Sequence, residues 1–323
     1  MKKYIVILTL LSFVKVFAQD PIHTQFFMIP ETLSSSFTGA KKSTRAGIIH
    51  RTQWPGLNFS LNTQFAFVDN WFEEVNSGIG ISVLNHQETT TRYNFTQVNL
   101  NYAYQFSISE EWNARPSISF GYGSKDFGFQ NLLLEDQINI FSGIINNTSI
   151  DPIELNESVR FVDFSASVLF NNENSWVGLT FKHLNKPNIS MQFDGQDNLE
   201  MFMSLHGSVY IPTGGYRNND NKLFVLANAM QQGAYNRFDL GAKYQMDDFS
   251  FALLAATNPN KVDPNSHLLT SINAFMGLDW QGFRFGYSYD FNMTEIGKTG
   301  GVYELSISYD FFNNADCFGC PDY

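Results

Sequence analysis

The last strand-like stretch of the chain reads Gly301-Val302-Tyr303-Glu304-Leu305-Ser306-Ile307-Ser308-Tyr309-Asp310-Phe311-Phe312. Tyr303, Leu305, Ile307, Tyr309 and Phe311 point one way; Glu304, Ser306, Ser308 and Asp310 point the other. A period of two over about ten residues makes a strand with one oily and one wet face. The pattern recurs throughout. Val98, Leu100, Tyr102, Tyr104 and Phe106 oppose Asn99, Asn101, Ala103 and Gln105. Phe283, Phe285, Tyr287, Tyr289 and Phe291 oppose Arg284, Gly286, Ser288 and Asp290. Repeated along a whole chain, such alternation predicts an all-β fold, a transmembrane antiparallel β-barrel of the outer membrane. About 14 strands are expected, near residues 44–53, 60–70, 78–86, 93–107, 111–122, 161–170, 174–186, 200–211, 221–230, 234–246, 247–257, 267–278, 281–291 and 301–312.

The connections support this count. Outer-membrane barrels have short periplasmic turns and longer outer loops. Connections after even strands are mostly short, as at Ser109-Glu110-Glu111 and Asp279-Trp280-Gln281. Those after odd strands include the longest, 123–160, 187–199, 257–267 and 292–300. The exception is 212–220, a longer turn on the short side. Within 123–160, residues 132–141 have the composition of a short helix. That loop is either a solvated surface element or a cap over, or into, the pore.

The N-terminus carries an export signal: Lys2 and Lys3, an apolar run from Tyr4 to Val14, and Val16-Phe17-Ala18 before the cleavage point. Residues 1–18 are expected to be removed, leaving 19–43 as a periplasmic segment, 44–312 as the barrel and 313–323 as a periplasmic tail. The mature chain then has 17 basic against 31 acidic residues, a formal charge of −14. That argues against a nucleic-acid partner, which demands a basic face. No later run reaches the roughly 18 apolar residues of a membrane helix. Phe, Tyr and Trp make up 16% of the chain, which suits aromatic girdles at two membrane interfaces.

No catalytic set is legible, so an enzyme is not expected, and neither is a cofactor or a metal. Gly297-Lys298-Thr299 lacks the first glycine of a phosphate loop, because Asn292 stands there. The histidines are dispersed without ligand spacing. Cys317 and Cys320 form a C-F-G-C pair, read as a small disulfide or idle thiols, with a redox role or a zinc half-site as alternatives. Arg284, Asp290, Glu304 and Asp310 sit on the polar faces of the last two strands. They are candidates for a lumen network that braces or plugs the pore, against simple solvation of the interior.

Several stretches resemble one family. Gln19-Asp20-Pro21, then Gln25-Phe26-Phe27 and Pro30, resembles the mature start of PorP/SprF-type proteins of the Bacteroidetes type IX secretion system. Arg51-Thr52-Gln53-Trp54 matches their R-x-Q-W element, so Arg51, Gln53 and Trp54 join Gln19, Asp20 and Pro21 as family-motif residues. Gly78-Ile79-Gly80-Ile81-Ser82-Val83-Leu84-Asn85 is similar to a further strand. So are Asn101-Tyr102-Ala103-Tyr104, Val177-Gly178-Leu179-Thr180 with His183-Leu184, and Tyr287-Ser288-Tyr289-Asp290-Phe291 with the closing strand. The likeness runs from about residue 19 to 312. It departs at Ser35-Ser36-Phe37-Thr38-Gly39, where the family has N-P-A-Y-A-G, and in the tail.

The resemblance implies a non-enzymatic outer-membrane partner of the secretion machinery. It would help export, or hold at the surface, a large adhesin-type cargo with a C-terminal sorting domain, with gliding motility as one consequence. Its other partners would be further secretion components and outer-membrane lipid. The competing reading is a porin or diffusion channel for small or hydrophobic substrates. An outer-membrane hydrolase is a third, disfavoured by the missing nucleophile set.

Overall fold

The computed structural model describes residues 20–57, 60–128, 138–139, 144–145, 157–212, 221–259, 268–294 and 299–311. Each expected strand is present. They are β1 (Arg45–Gln53), β2 (Leu61–Phe72), β3 (Ser77–Glu88), β4 (Asn94–Tyr104), β5 (Asn113–Asp126), β6 (Ser158–Asn171) and β7 (Ser175–Lys182). Then follow β8 (Phe202–Ile211), β9 (Asn221–Gln232), β10 (Tyr235–Met246), β11 (Phe249–Thr257), β12 (Leu269–Trp280), β13 (Phe283–Asn292) and β14 (Val302–Asp310). Every strand pairs antiparallel with its chain neighbours. β14 closes on β1, with Arg45 opposite Asp310 and Gln53 opposite Val302. Closure removes the unpaired edges that an open sheet exposes.

The strand expected at 174–186 stops at Lys182 because His183 and Lys186 take left-handed backbone angles, with φ of 59° and 42°. Inside the β5–β6 connection, Ile138–Asn139 pairs with Ile144–Ile145. Residues 138–139 of the stretch expected as a helix at 132–141 are thus extended, and its other residues lie outside the described ones. The signal segment, Gln19, Cys317 and Cys320 also lie outside them. Among the described residues, no helix is long and apolar enough to cross a membrane.

Burial is inverted relative to a soluble protein. Ile81, Leu100, Ile118, Leu205, Leu253 and Leu305 face outward and are exposed, while Arg51, Gln97, Asp163, Asn228, Ser288 and Glu304 face inward and are buried. Exposed apolar strand faces around a closed sheet are a lipid-facing surface. Outward rings cluster at both ends of the β13–β14 hairpin. Phe283 packs on Tyr309 with ring centroids 4.4 Å apart, and Tyr289 packs on Phe291 at 4.4 Å and on Tyr303 at 4.9 Å. These are pieces of the two interfacial girdles.

The lumen is filled. Residues 20–40, expected in the periplasm, run inside the barrel from the long-loop mouth, beside Gln232 and His183, to the short-turn end, where the chain enters β1. Phe26, Phe27, Met28, Ile29, Leu33 and Phe37 of this strap are each at most 6% exposed. They pack against inward Phe65, Phe67, Trp176, Phe224, Leu226, Leu254 and Phe275. The physical reason is hydrophobic: six large apolar side chains would lie in water below the barrel, and each gains about 1.5–3 kcal/mol by burial.

Close approach requires glycine at one contact. A methyl group on Gly78 of β3 would lie 2.1 Å from the Thr38 carbonyl oxygen of the strap. Gly78→Val is therefore expected to push the strap off β3 and destabilise the fold by about 1–3 kcal/mol. The check is the temperature at which the folded, fast-migrating band is lost on detergent gels.

Candidate functional site

The strap is held by inward side chains at three levels. In the outer half, Glu304 of β14 accepts hydrogen bonds from the backbone N–H of Thr24 at 2.8 Å and of Gln25 at 3.0 Å. Asp290 of β13 accepts from the Thr24 hydroxyl at 2.7 Å. Arg51 of β1 donates to Glu304 and lies 3.3 Å from Asp290. Its Nε donates to Gln53 at 3.1 Å. The Gln25 amide donates to Ser288 and accepts from Ser306 at 2.6 Å. Alternation makes this possible: residues 288 and 290, 304 and 306, and 51 and 53 all fall on inward faces of three adjacent strands.

Near the short-turn end, Arg115 of β5 donates to the Ser36 carbonyl at 3.1 Å and the Thr38 carbonyl at 2.7 Å. Asp69 of β2 accepts from the Gly39 N–H at 3.0 Å. The Phe37 ring meets Trp176 edge-on, with centroids 5.1 Å apart. Arg45 bridges the strap and the barrel seam, at 2.8 Å from both Glu31 and Asp310.

At the long-loop mouth, His183 lies just beyond β7. Its Nε2 is 2.9 Å from Asp20 and its Nδ1 is 3.0 Å from Asp163. Burial opposes the imidazolium, yet the Asp20 charge and the hydrogen bonds to Asp163 and Asp20 push the pKa up to about 9. Burial alone would raise Asp20, but the His183 charge and hydrogen bond hold it down at about 2. Lys182 donates to the Thr32 carbonyl at 2.9 Å. The 183–201 connection folds into the mouth, where Ile189 and Leu199 pack on inward Phe95 and Phe161.

Between strap and wall a cavity of about 60 Å³ remains, bordered by His23, Ser34, Gln97, Asn101 and Ser119 among others. It is polar and large enough for water. Among the described residues, no His, Cys, Asp and Glu cluster has the geometry of a metal site.

Of the residues singled out in the sequence, Asp290 and Glu304 come together at one cluster. Arg284 does not join them. It lies at the short-turn end of β13, 3.7 Å from Asp279. The cation in the cluster is Arg51, which the sequence marked only as a motif residue. Asp310 belongs to the separate Arg45 bridge. Asp20 forms the His183 pair, Pro21 is half-buried beside it, and Trp54 holds the turn after β1 through its N–H to the Gly301 carbonyl at 3.0 Å. Sequence reasoning missed Arg115, Asp69 and Arg45, and met His183 only within a family-like stretch. Their inward parity was readable, but the occupant they face was not.

The chain matches the family described as "Type IX secretion system membrane protein PorP/SprF" over residues 15–309. It belongs to that family. No curated protein is recognisably similar in sequence. The chain is also similar to many solved structures, three of which follow. The KdgM porin is 8% identical, with a TM-score of 0.37 over 83% of this chain and 99% of that one. A Pseudomonas aeruginosa FadL homologue is 10% identical, with a TM-score of 0.44 over 86% and 94%. The P. putida toluene transporter TodX is 9% identical, with a TM-score of 0.48 over 86% and 92%. Similarity this low says nothing of what this PorP/SprF protein carries or binds.

Two substitutions separate the cluster from its expected version. Arg51→Met leaves buried Glu304 and Asp290 without their guanidinium and should cost about 3–5 kcal/mol. Arg284→Met should cost less than about 1 kcal/mol, because its pair is long and partly solvated. Denaturant unfolding in detergent compares them.

The His183 pair gives a pH signature. A pKa raised from 6.5 to about 9 contributes stability that is complete below pH 6.5 and lost as pH rises through about 9. His183→Gln should therefore lower the unfolding temperature at pH 6, and the gap to the unaltered protein should close by pH 10.

Proposed function

We propose that this PorP/SprF barrel serves type IX secretion as a docking element, holding a large secreted protein with a C-terminal sorting domain at the cell surface. It is not a conduit in this reading and not an enzyme. The observation that carries it is the occupied lumen. A porin needs a continuous aqueous path, and here buried aromatic residues, a carboxylate–guanidinium cluster and a mouth loop fill the cross-section. A barrel built this way offers a partner its rims and loops. The secreted protein would use the long-loop end. Other secretion components would meet the short turns, whose tips carry Glu73, Glu74, Glu110, Glu111, Glu173, Asp247 and Asp248. Export by the 1–18 leader and a contribution to gliding motility belong to the same reading.

Two measurements test it. Purification of the C-terminally tagged protein from native outer membranes in mild detergent should bring down a large protein with a C-terminal sorting domain. Reconstituted in planar bilayers, the intact barrel should stay closed, while a variant lacking residues 20–40 should conduct. Steady conductance from the intact barrel, with nothing co-purifying, would favour the porin.

A further inference from the structure

The wall grips the strap through main-chain groups as well as through the side chains of Asp20, Thr24, Gln25, Glu31 and Ser35. Gln232 accepts from the Asp20 N–H, Glu304 from the N–H groups of Thr24 and Gln25, Ser167 from Ser36 and Asp69 from Gly39. Lys182 donates to the Thr32 carbonyl, and Arg115 to those of Ser36 and Thr38. Any peptide owns these groups. Main-chain hydrogen bonds for affinity, with pockets for chosen side chains, are how extended peptides are recognised elsewhere. The pockets here take the adjacent rings of Phe26 and Phe27, and then Phe37 above the Gly78 approach.

Both ring nitrogens of His23, 5% exposed, lack a hydrogen-bond partner among the described residues. On the wall, Trp176 Nε1, Thr180 Oγ1, His206 Nε2 and Asn228 Nδ2 are likewise unpartnered, in residues at most 2% exposed. His23 and Thr180 border the cavity, which has room for water to pair them.

We infer that the lumen is a peptide-binding channel, occupied in cis by residues 20–40, whose second ligand is an extended segment of the secreted partner. That segment would carry two adjacent aromatic residues and, about ten positions on, an aromatic followed two later by glycine. The inference deepens the docking reading and rests on it for the identity of the ligand, not for the existence of the site. A tethered strap competes at a high effective concentration, so a free peptide enters the intact protein poorly. Cutting the tether removes that advantage.

The experiment inserts a protease site between Lys42 and Ser43 and cleaves the folded, purified protein, so that barrel assembly is not at issue. The probe is a fluorescent synthetic peptide with the sequence of residues 20–40. It should exchange into the cut protein saturably, and into the uncut protein at least about tenfold less. A peptide N-methylated at the Thr24 and Gln25 amides loses both bonds to Glu304 and should bind roughly a hundredfold more weakly. Equal binding of the two peptides would reveal mere apolar adhesion and overturn the proposal. So would a cut strap that never exchanges at 37 °C. Peptides tiled from the sorting domain of the co-purified protein should then compete with the probe. Exchange without a co-purifying partner would sink the docking reading and leave the channel standing. A partner without exchange would do the reverse.

Discussion

One carboxylate ties the molecule together. Glu304, on the strand that closes the ring, accepts two consecutive main-chain N–H groups of the strap and the guanidinium of Arg51 on the strand it closes against. A charge buried this deeply is tolerable only when every lone pair is engaged. Closing the barrel and seating the strap are therefore energetically the same event at this point. Arg45 repeats the arrangement one level down, with Glu31 on the strap and Asp310 on the closing strand. Both bridges cross the seam where chain end meets chain beginning, the pairing of greatest sequence separation and so the slowest to find.

The interior is divided. On the side of β8 to β12, Phe224, Leu226, Leu254 and Phe275 form an oily wall that takes the aromatic residues of the strap. On the side of β3 to β5, Ser82, Gln97, Asn101 and Ser119 form a hydroxyl- and amide-rich wall that borders the cavity. The strap is fastened on one flank by packing and on the other by sparse polar contacts. That combination gives specificity of position without a fully dry interface.

The barrel was legible because alternation is local: each strand declares its two faces within ten residues, and turn lengths set the parity. The inward placement of Asp290 and Glu304 followed from the same parity. Arg284 shares it too, and misled, because parity says which face a residue occupies and not how far along the barrel axis it sits. Register places Arg284 opposite Ser308 at the short-turn end and Asp290 opposite Val302 at the other. Arg51 stands opposite Glu304, a register that only ring closure defines. The strap was legible in hindsight from two mismatches. Residues 26–37 are too apolar for a solvated segment, and Phe65, Phe67, Phe224 and Phe275 face a lumen that a water-filled pore would line with polar groups.

With residues 1–18 removed as a leader, the strap keeps one covalent tether to the barrel, at the short-turn end, while Asp20 lies at the opposite mouth. An intact strap can therefore leave the barrel in one direction only, drawn back past its own tether. Pulling on it from the long-loop side draws it taut against its tether, whereas pulling from the short-turn side loads the Arg115 grip first and frees Asp20 from His183 last. The closed barrel is in this sense mechanically polar. If the short turns face the periplasm, work done inside the envelope can empty the lumen, and the same force applied from outside the cell cannot.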